Sequence, residues 1–295
     1  MAVVPETLPG RPLTRQRLWL AFQRVIGVLL VALALAGLLV QNHSRLPRFV
    51  YVALFALPLC LAMFRREAQA LRLWGTYVVS FVAFSMLRIG ADNFGFPAHA
   101  AYVATMDRWL GLGTIPTHLL QSILPLSGPV VWAAVLVHLT YYAMPPLAGL
   151  VCWLRDARRF PRYAYSLVAI YVVSILTHIV LPTVPPWLAG IQGTIDPVRR
   201  LVSEALNGWD PAFYSYGLYV AAGNDVAAMP SVHMAAVTVI ACATWHTRWR
   251  WVVISYPLAM GLSLVYLGEH YLTDILAGVA LAVVDWRVTK RWEIS

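Results

Sequence analysis

Residues 251–286 read WVVISYPLAMGLSLVYLGEHYLTDILAGVALAVVDW, two apolar runs joined at Gly268-Glu269-His270-Tyr271-Leu272-Thr273-Asp274. About 20 apolar residues cross a hydrocarbon core as a helix, and there the backbone must satisfy its own hydrogen bonds. The stretch therefore predicts a pair of membrane helices, near 251–267 and 270–286, whose connection carries a histidine and carboxylates. Ionisable side chains at membrane depth are costly, which makes them functional candidates. His270 and Asp274 are four apart, so a helix running through both puts them on one face.

The rest of the chain has the same character. Of its 295 residues 60% are hydrophobic and 12% charged, against about 45–50% and about 25% in soluble domains. An ordinary cytosolic enzyme, a disordered chain and a collagen-like repeat are excluded on that ground. Besides the two runs above, spans are expected near 18–40, 49–64, 73–90, 130–154, 164–182 and 228–245. The predicted fold is thus all-α, a polytopic membrane helix bundle of about eight transmembrane spans. Membrane helices fill 1–90, an external interfacial segment 91–128, and the main bundle 129–295, which includes an external cap, 183–227. Short surface helices suit Met106–Leu112 and Thr117–Leu124, and Asp196-Pro197 marks a helix start in the cap.

The net charge of +9 would suggest nucleic acid in a soluble protein; here it reads as topology, and no nucleic-acid partner is expected. With both termini cytoplasmic, only Arg45, Arg48, Arg88, Arg108, Arg199 and Arg200 of the 22 basic residues remain outside. That places His270 on the external side of a plasma-membrane protein. The first span resembles a signal peptide in its basic flank, but it runs back through Leu18 and is read as a retained anchor. Cys60, Cys152 and Cys242 lie in apolar runs without ligand spacing, so neither disulfides, a metal site nor a cofactor is expected.

A second histidine, His233, closes the stretch Ala228-Met229-Pro230-Ser231-Val232-His233 at the predicted external start of a span. Pro230 suits the first position of a helix. The N–H groups after it, from Ser231 on, would form an anion site. Two imidazoles, a carboxylate and an anion-binding helix start suit phosphoryl transfer through a phosphohistidine. One ring attacks phosphorus, the carboxylate orients it, and the other ring protonates the departing oxygen, while N–H groups hold the equatorial oxygens. A lipid transporter or flippase using the His-Asp pair as a proton relay remains the alternative.

Pro230-Ser231-Val232-His233, with His270 following after 36 residues and Asp274 four beyond it, resembles two signatures of the type 2 phosphatidic-acid phosphatase superfamily. Pro182-Thr183-Val184-Pro185-Pro186-Trp187 and Tyr266-Leu267-Gly268-Glu269-His270-Tyr271 are similar to its inositol-phosphoryltransferase-type branch, related to inositol phosphorylceramide synthases. The likeness covers roughly residues 85–280, Met106-Asp107 and Pro116-Thr117 included. The resemblance implies His270 as nucleophile, Asp274 as its orienting group and His233 as general acid and later base. It implies a lipid phosphate or phospholipid donor among membrane lipids, with water or an alcohol such as an inositol-bearing lipid as acceptor. The superfamily's design is shared with vanadate-dependent peroxidases, from which the membrane character sets this chain apart.

The departures from the family pattern concern cations. No Lys precedes Lys290, Leu264 stands where the third signature has Arg, and Val232 replaces the second signature's Gly. The substrate-binding candidates are therefore Arg88 first, then Arg199 with Arg200, alongside Ser231, His138 and Tyr142 four apart in one span, and Trp187 at the entrance. Oligomeric state is left open.

Overall fold

In the computed structural model, which describes residues 45–209 and 224–292, the apolar runs become helices bounded by proline, glycine and arginine turns. There are twelve α-helices among the described residues: α1 Arg45–Phe64, α2 Ala68–Ile89, α3 Ala101–Leu110, α4 Pro116–Ile123, α5 Pro129–Leu139, α6 Met144–Arg155, α7 Phe160–Val180, α8 Pro186–Ile191, α9 Leu201–Trp209, α10 Val232–Thr244, α11 Arg250–Tyr266 and α12 Leu272–Val288. Among the described residues β-structure is confined to isolated parallel bridges that join His99, Thr183 and Ala227. The expected span at 18–40 and residues 210–223 of the expected cap lie outside the described residues.

The bundle core forms where α2 packs on α7, and where α10 packs on α7, α11 and α12. Trp74, Tyr77, Tyr163, Tyr171, Phe160, Leu167 and Ile170 fill it and are almost fully buried. Outward faces are apolar too: Val79, Val82 and Met86 on α2, Val172, Val173 and Leu176 on α7, and Leu258 and Leu262 on α11 are exposed. An apolar exterior of this extent belongs in lipid rather than water. Among the described residues two helices, α2 and α7, are long and apolar enough to cross a membrane by themselves, or up to three spans if the bent pair α5 and α6 counts as one.

That bend corrects the continuous helix expected over 130–154. The axis turns by 52° between Pro129–Tyr142 and Met144–Arg155, with a 3-10 turn at Thr140–Tyr142 and Pro145 and Pro146 opening α6. Proline supplies no N–H and its ring clashes with the preceding turn, so a helix breaks there. Three further boundaries differ from expectation. Helix α10 starts at Val232 with Ser231 as its cap, so Pro230 stands before the helix. Helix α12 starts at Leu272, so His270 precedes it. The helix expected after Asp196-Pro197 begins at Leu201.

Outside the bundle, α3, α4 and the cap build two smaller cores. One joins Val103, Ala104 and Ile115 to Val184, Trp187, Val198 and Tyr271. The other joins Val131 and Val135 of α5 to Leu201, Val202 and Leu206 of α9 and to Tyr266 and Leu267. Asp107 of α3, fully buried, reaches the start of α12: its Oδ1 accepts from the Thr273 N–H at 2.8 Å and from the Thr273 hydroxyl at 2.9 Å. Burial pushes the Asp107 carboxyl up in pKa, against those two hydrogen bonds. Helices α10 and α12 touch through Gly278, where a Cβ would lie 2.4 Å from the Ser231 carbonyl oxygen and 3.1 Å from Met234 Cβ.

Two outcomes follow for stability, measured as thermal unfolding in detergent. Gly278→Val forces α10 and α12 apart and is expected to cost about 1–3 kcal/mol; an unshifted midpoint would contradict that close approach. Asp107→Ala leaves the Thr273 N–H buried without its acceptor, at a cost of about 1–3 kcal/mol, whereas Asp107→Asn keeps an accepting oxygen and is expected to cost far less. Because the folded pKa of Asp107 is raised, the stability its protonated form contributes is complete below the ordinary carboxylate range and is lost as pH rises through the raised value. Asp107→Asn should flatten that decline.

Candidate active site

Four segments converge at one end of the bundle: the last turn of α5 with the 3-10 turn after it, the start of α10, the link between α11 and α12, and the cap. The Ser231 hydroxyl accepts from the Met234 N–H at 3.4 Å, which caps α10. The Ser231 N–H donates to the Asp274 carbonyl at 3.1 Å, so backbone ties the two histidine-bearing segments together. On the other side the Asp274 carboxylate accepts from the Tyr271 N–H at 2.9 Å and caps α12.

These ties set His233 and His270 side by side, ring centroids 5.7 Å apart and planes at 65°. His270 Nδ1 lies 3.5 Å from Asp274 Oδ2, long for a hydrogen bond but close enough to fix which nitrogen faces the carboxylate. The other nitrogen, Nε2, is left for the cleft. Catalytic hydrogen bonds in an empty site commonly tighten only when charge develops. Both residues are sequestered: His270 is buried and Asp274 fully so.

The cleft, about 500 Å³ with the open solvent at its mouth included, is lined by His138, His233 and His270 together with Arg88, Tyr142, Trp187, Arg200, Asn224, Asp225 and Glu269. Of the residues singled out in the sequence, Arg88, His138, Tyr142 and Trp187 thus reach the same space as the two histidines. Arg88 Nη2 donates to the Asn224 carbonyl at 3.3 Å. His138 lies in the last turn of α5 and Tyr142 in the 3-10 turn that follows it, and both line the cleft. His138 Nε2 lies 3.3 Å from His233 Nε2, and the Tyr141 ring packs on His233 with centroids 4.2 Å apart.

Two candidates sit elsewhere. Ser231 is fully buried and its polar atoms serve the cap. Arg199 is not among the residues lining the cleft and pairs with Glu204, its Nε 3.1 Å from both carboxylate oxygens. The cap places Arg200 in the cleft instead. Arg200 Nε donates to Glu269 Oε1 at 2.8 Å and Nη2 to Oε2 at 3.4 Å. Its guanidinium carbon stands 4.2 Å from the Trp187 ring centroid, and Nη1 is 3.9 Å from Asp225 Oδ1. Burial pushes the Glu269 carboxyl up, but the Arg200 guanidinium outweighs it, with smaller contributions from His138 and His270, and holds the pKa below its ordinary value. Glu269, Asn224 and Asp225 were not singled out in the sequence. Glu269 adjoins His270 in the chain, which is the one signal that could have marked it.

Chemically, the arrangement offers a nucleophilic ring nitrogen backed by a carboxylate, a second imidazole across a gap able to admit a phosphorus centre, and two guanidinium groups beside it. A curated relative, the phosphoinositol dihydroceramide synthase of Bacteroides thetaiotaomicron, is 25% identical over 159 residues, 50% of this chain and 52% of the relative. The chain therefore spans about half the length of the curated relative it matches. No solved structure matches it. Residues 101–288, which hold both imidazoles, Asp274, the cap and the broken helix, match the family described as the PAP2 superfamily. With well over half of its length covered by that match, the chain belongs to the PAP2 superfamily, the type 2 phosphatidic-acid phosphatase family that its histidine motifs resemble.

Proposed function

We propose that this protein is an integral-membrane lipid phosphotransferase or phosphatase that works through a phosphohistidine on His270, without a metal, at the external leaflet of the plasma membrane. The observation that carries this reading is the facing pair of rings, 5.7 Å apart, with Asp274 behind one of them. His270 Nε2 attacks phosphorus; the new P–N bond forms as the P–O bond to the departing alcohol breaks, and His233 gives its proton to that oxygen. The acceptor, water or an alcohol, then returns a proton to His233 as its oxygen attacks phosphorus and frees His270. Asp274 stabilises the imidazolium character that develops on His270. Arg88 and Arg200 face the phosphoryl oxygens, and of the two neighbouring arginines that the sequence offered, Arg200 takes this role rather than Arg199.

The charges lining the cleft favour a phosphodiester donor. Arg88 and Arg200 are balanced formally by Glu269 and Asp225, which suits a singly charged headgroup ester better than a doubly charged phosphate monoester. The relative's name points the same way, toward transfer of a phosphoinositol headgroup to a lipid alcohol. Orientation is supported by where the basic segments lie. Arg159 bonds His246, Arg162 bonds the Trp286 carbonyl, and Trp153 donates to Glu67, which gathers four arginine-rich connections at the end of the bundle remote from the cleft. Basic connections face the cytoplasm, so the cleft opens outward. Eight spans, with both termini inside, complete this topology.

The test is purified protein in vesicles given a panel of radiolabelled lipid phosphates and phospholipids, with and without inositol-bearing acceptors. Wild-type protein should release or transfer label and, after rapid quenching, carry acid-labile phosphate on His270; His270→Ala should do neither. Lipid movement without any covalent adduct would sink the enzyme reading in favour of a proton relay. Arg200→Ala is expected to lose roughly tenfold or more in kcat/KM, the scale of a charge-assisted hydrogen bond, and Arg199→Ala less than about twofold, as for an exposed ion pair.

A further inference from the structure

Neither motif of the family match contains His138, yet this side chain makes the closest polar contact to His233 in the described structure, Nε2 to Nε2 at 3.3 Å. The rings meet edge to face, centroids 4.8 Å apart and planes at 62°. The Tyr141 ring also packs against His233, centroids 4.2 Å apart, so the imidazole has little freedom to turn. His138 is buried, and its Nδ1 has no hydrogen-bond partner among the described residues. The helix break after Leu139 leaves His138 in the last turn of α5, facing the start of α10.

Two ring nitrogens in this relation share one hydrogen: one must donate and the other accept. Resting on the phosphohistidine reading above, we propose that His138 is a positioning residue for the general acid, a neutral acceptor that holds the proton on His233 Nε2 until the departing oxygen takes it. In the waiting state His233 carries hydrogens on both nitrogens, and His138 carries its own on Nδ1 and offers the Nε2 lone pair. A hydrogen bond from a charged donor is roughly twice as strong as a neutral one. That matters here because Arg88 and Arg200 oppose a third cation in the cleft, while both carboxylates that line it stand against Arg200, Glu269 hydrogen-bonded to it and Asp225 3.9 Å from it. His270, Tyr141 and Tyr142 are the other titratable groups beside the pair.

Each step balances with His138 unchanged. His233 Nε2 loses its hydrogen to the alkoxide oxygen as the P–O bond breaks and the P–N bond to His270 forms; His233 is then neutral and its bare Nε2 accepts the proton of the incoming alcohol or water. When that proton arrives, the bond to His138 re-forms and the acid is restored. His138 therefore acts through His233, in place of the substrate contact expected from the sequence.

Leaving-group chemistry separates this role from a packing role. The donor that wild-type protein turns over is compared with the same donor carrying 4-nitrophenol in place of its lipid alcohol, since 4-nitrophenolate departs without a proton. The readout is single-turnover release of the leaving group, which isolates the step that needs the acid. His138→Leu is expected to lose roughly 10²-fold with the lipid alcohol, the lower end for general acid catalysis, and at least about tenfold less than that with 4-nitrophenol. His138→Gln, whose Oε1 accepts from His233, should recover most of the loss, and His233→Ala should show the same leaving-group pattern as His138→Leu. Equal losses on both donors, or no loss with the lipid alcohol, would overturn the role of His138. Wild-type protein that turns over no donor at all would overturn the phosphohistidine reading itself, and the two failures cannot be confused.

Discussion

The first turn of α12 is the joint on which the site depends, and Asp274 is its centre. Its carboxylate caps the helix through the Tyr271 N–H and faces His270 Nδ1, while its backbone carbonyl accepts from the Ser231 N–H. One residue thus stands against the His270 ring and, through main chain, holds the segment that carries the second imidazole. A buried carboxylate is tolerable only when hydrogen-bonded or paired, and Asp274 meets that condition through Oδ2, which faces both the Tyr271 N–H and the His270 ring. Gly278, one turn further on, lets α10 come close enough for the Ser231 contact to form. The small side chain and the carboxylate are two parts of one constraint.

How the site is assembled explains what the sequence disclosed. His233, His270 and Asp274 were legible because ionisable groups at membrane depth stand out against apolar surroundings, and because their spacing matches family signatures. The spacing argument reached the right pair through the wrong local structure: His270 precedes α12, and the pairing arises from a capped helix start rather than a shared helical face. The surface helices α3 and α4 were legible from their semi-polar composition, and the break between α5 and α6 was not, although Pro145 and Pro146 stand in the sequence as its cause. Adjacent prolines can open a new helix or merely kink an old one, and only packing decides.

The cations were the least legible part. Arg199 and Arg200 are neighbours, and which of them enters the cleft depends on where the following helix begins. Asp196-Pro197 suggested an early start; with α9 starting at Leu201, both arginines stand just before the helix and meet different partners. Arg199 then meets Glu204 and Arg200 meets Glu269, 69 residues away. Such a long-range pairing leaves no periodic trace. Arg88 was reachable because an arginine at the end of an apolar helix is conspicuous, whatever its partner.

The cap also belongs to the catalytic framework rather than lying over it. The Leu201 N–H donates to the Leu267 carbonyl and the Trp187 N–H to the Gly268 carbonyl, both at 3.2 Å. Gln121 of α4 bonds the carbonyls of Arg199 and Tyr266, at 2.9 and 3.0 Å. Gly268 has φ +80°, and a Cβ there would stand 2.7 Å from the Arg199 carbonyl oxygen, so glycine is required both by conformation and by contact. The cap, through Arg200 and Glu269, therefore fixes the residue before His270, and Asp107 fixes Thr273 three residues after it. His270 is clamped from both directions along the chain by groups outside the spanning helices. A side chain held in this way has little conformational freedom left to lose when a ligand binds, and that is how a connection between two apolar helices, ordinarily the most mobile part of a hairpin, can present an ordered group to the cleft.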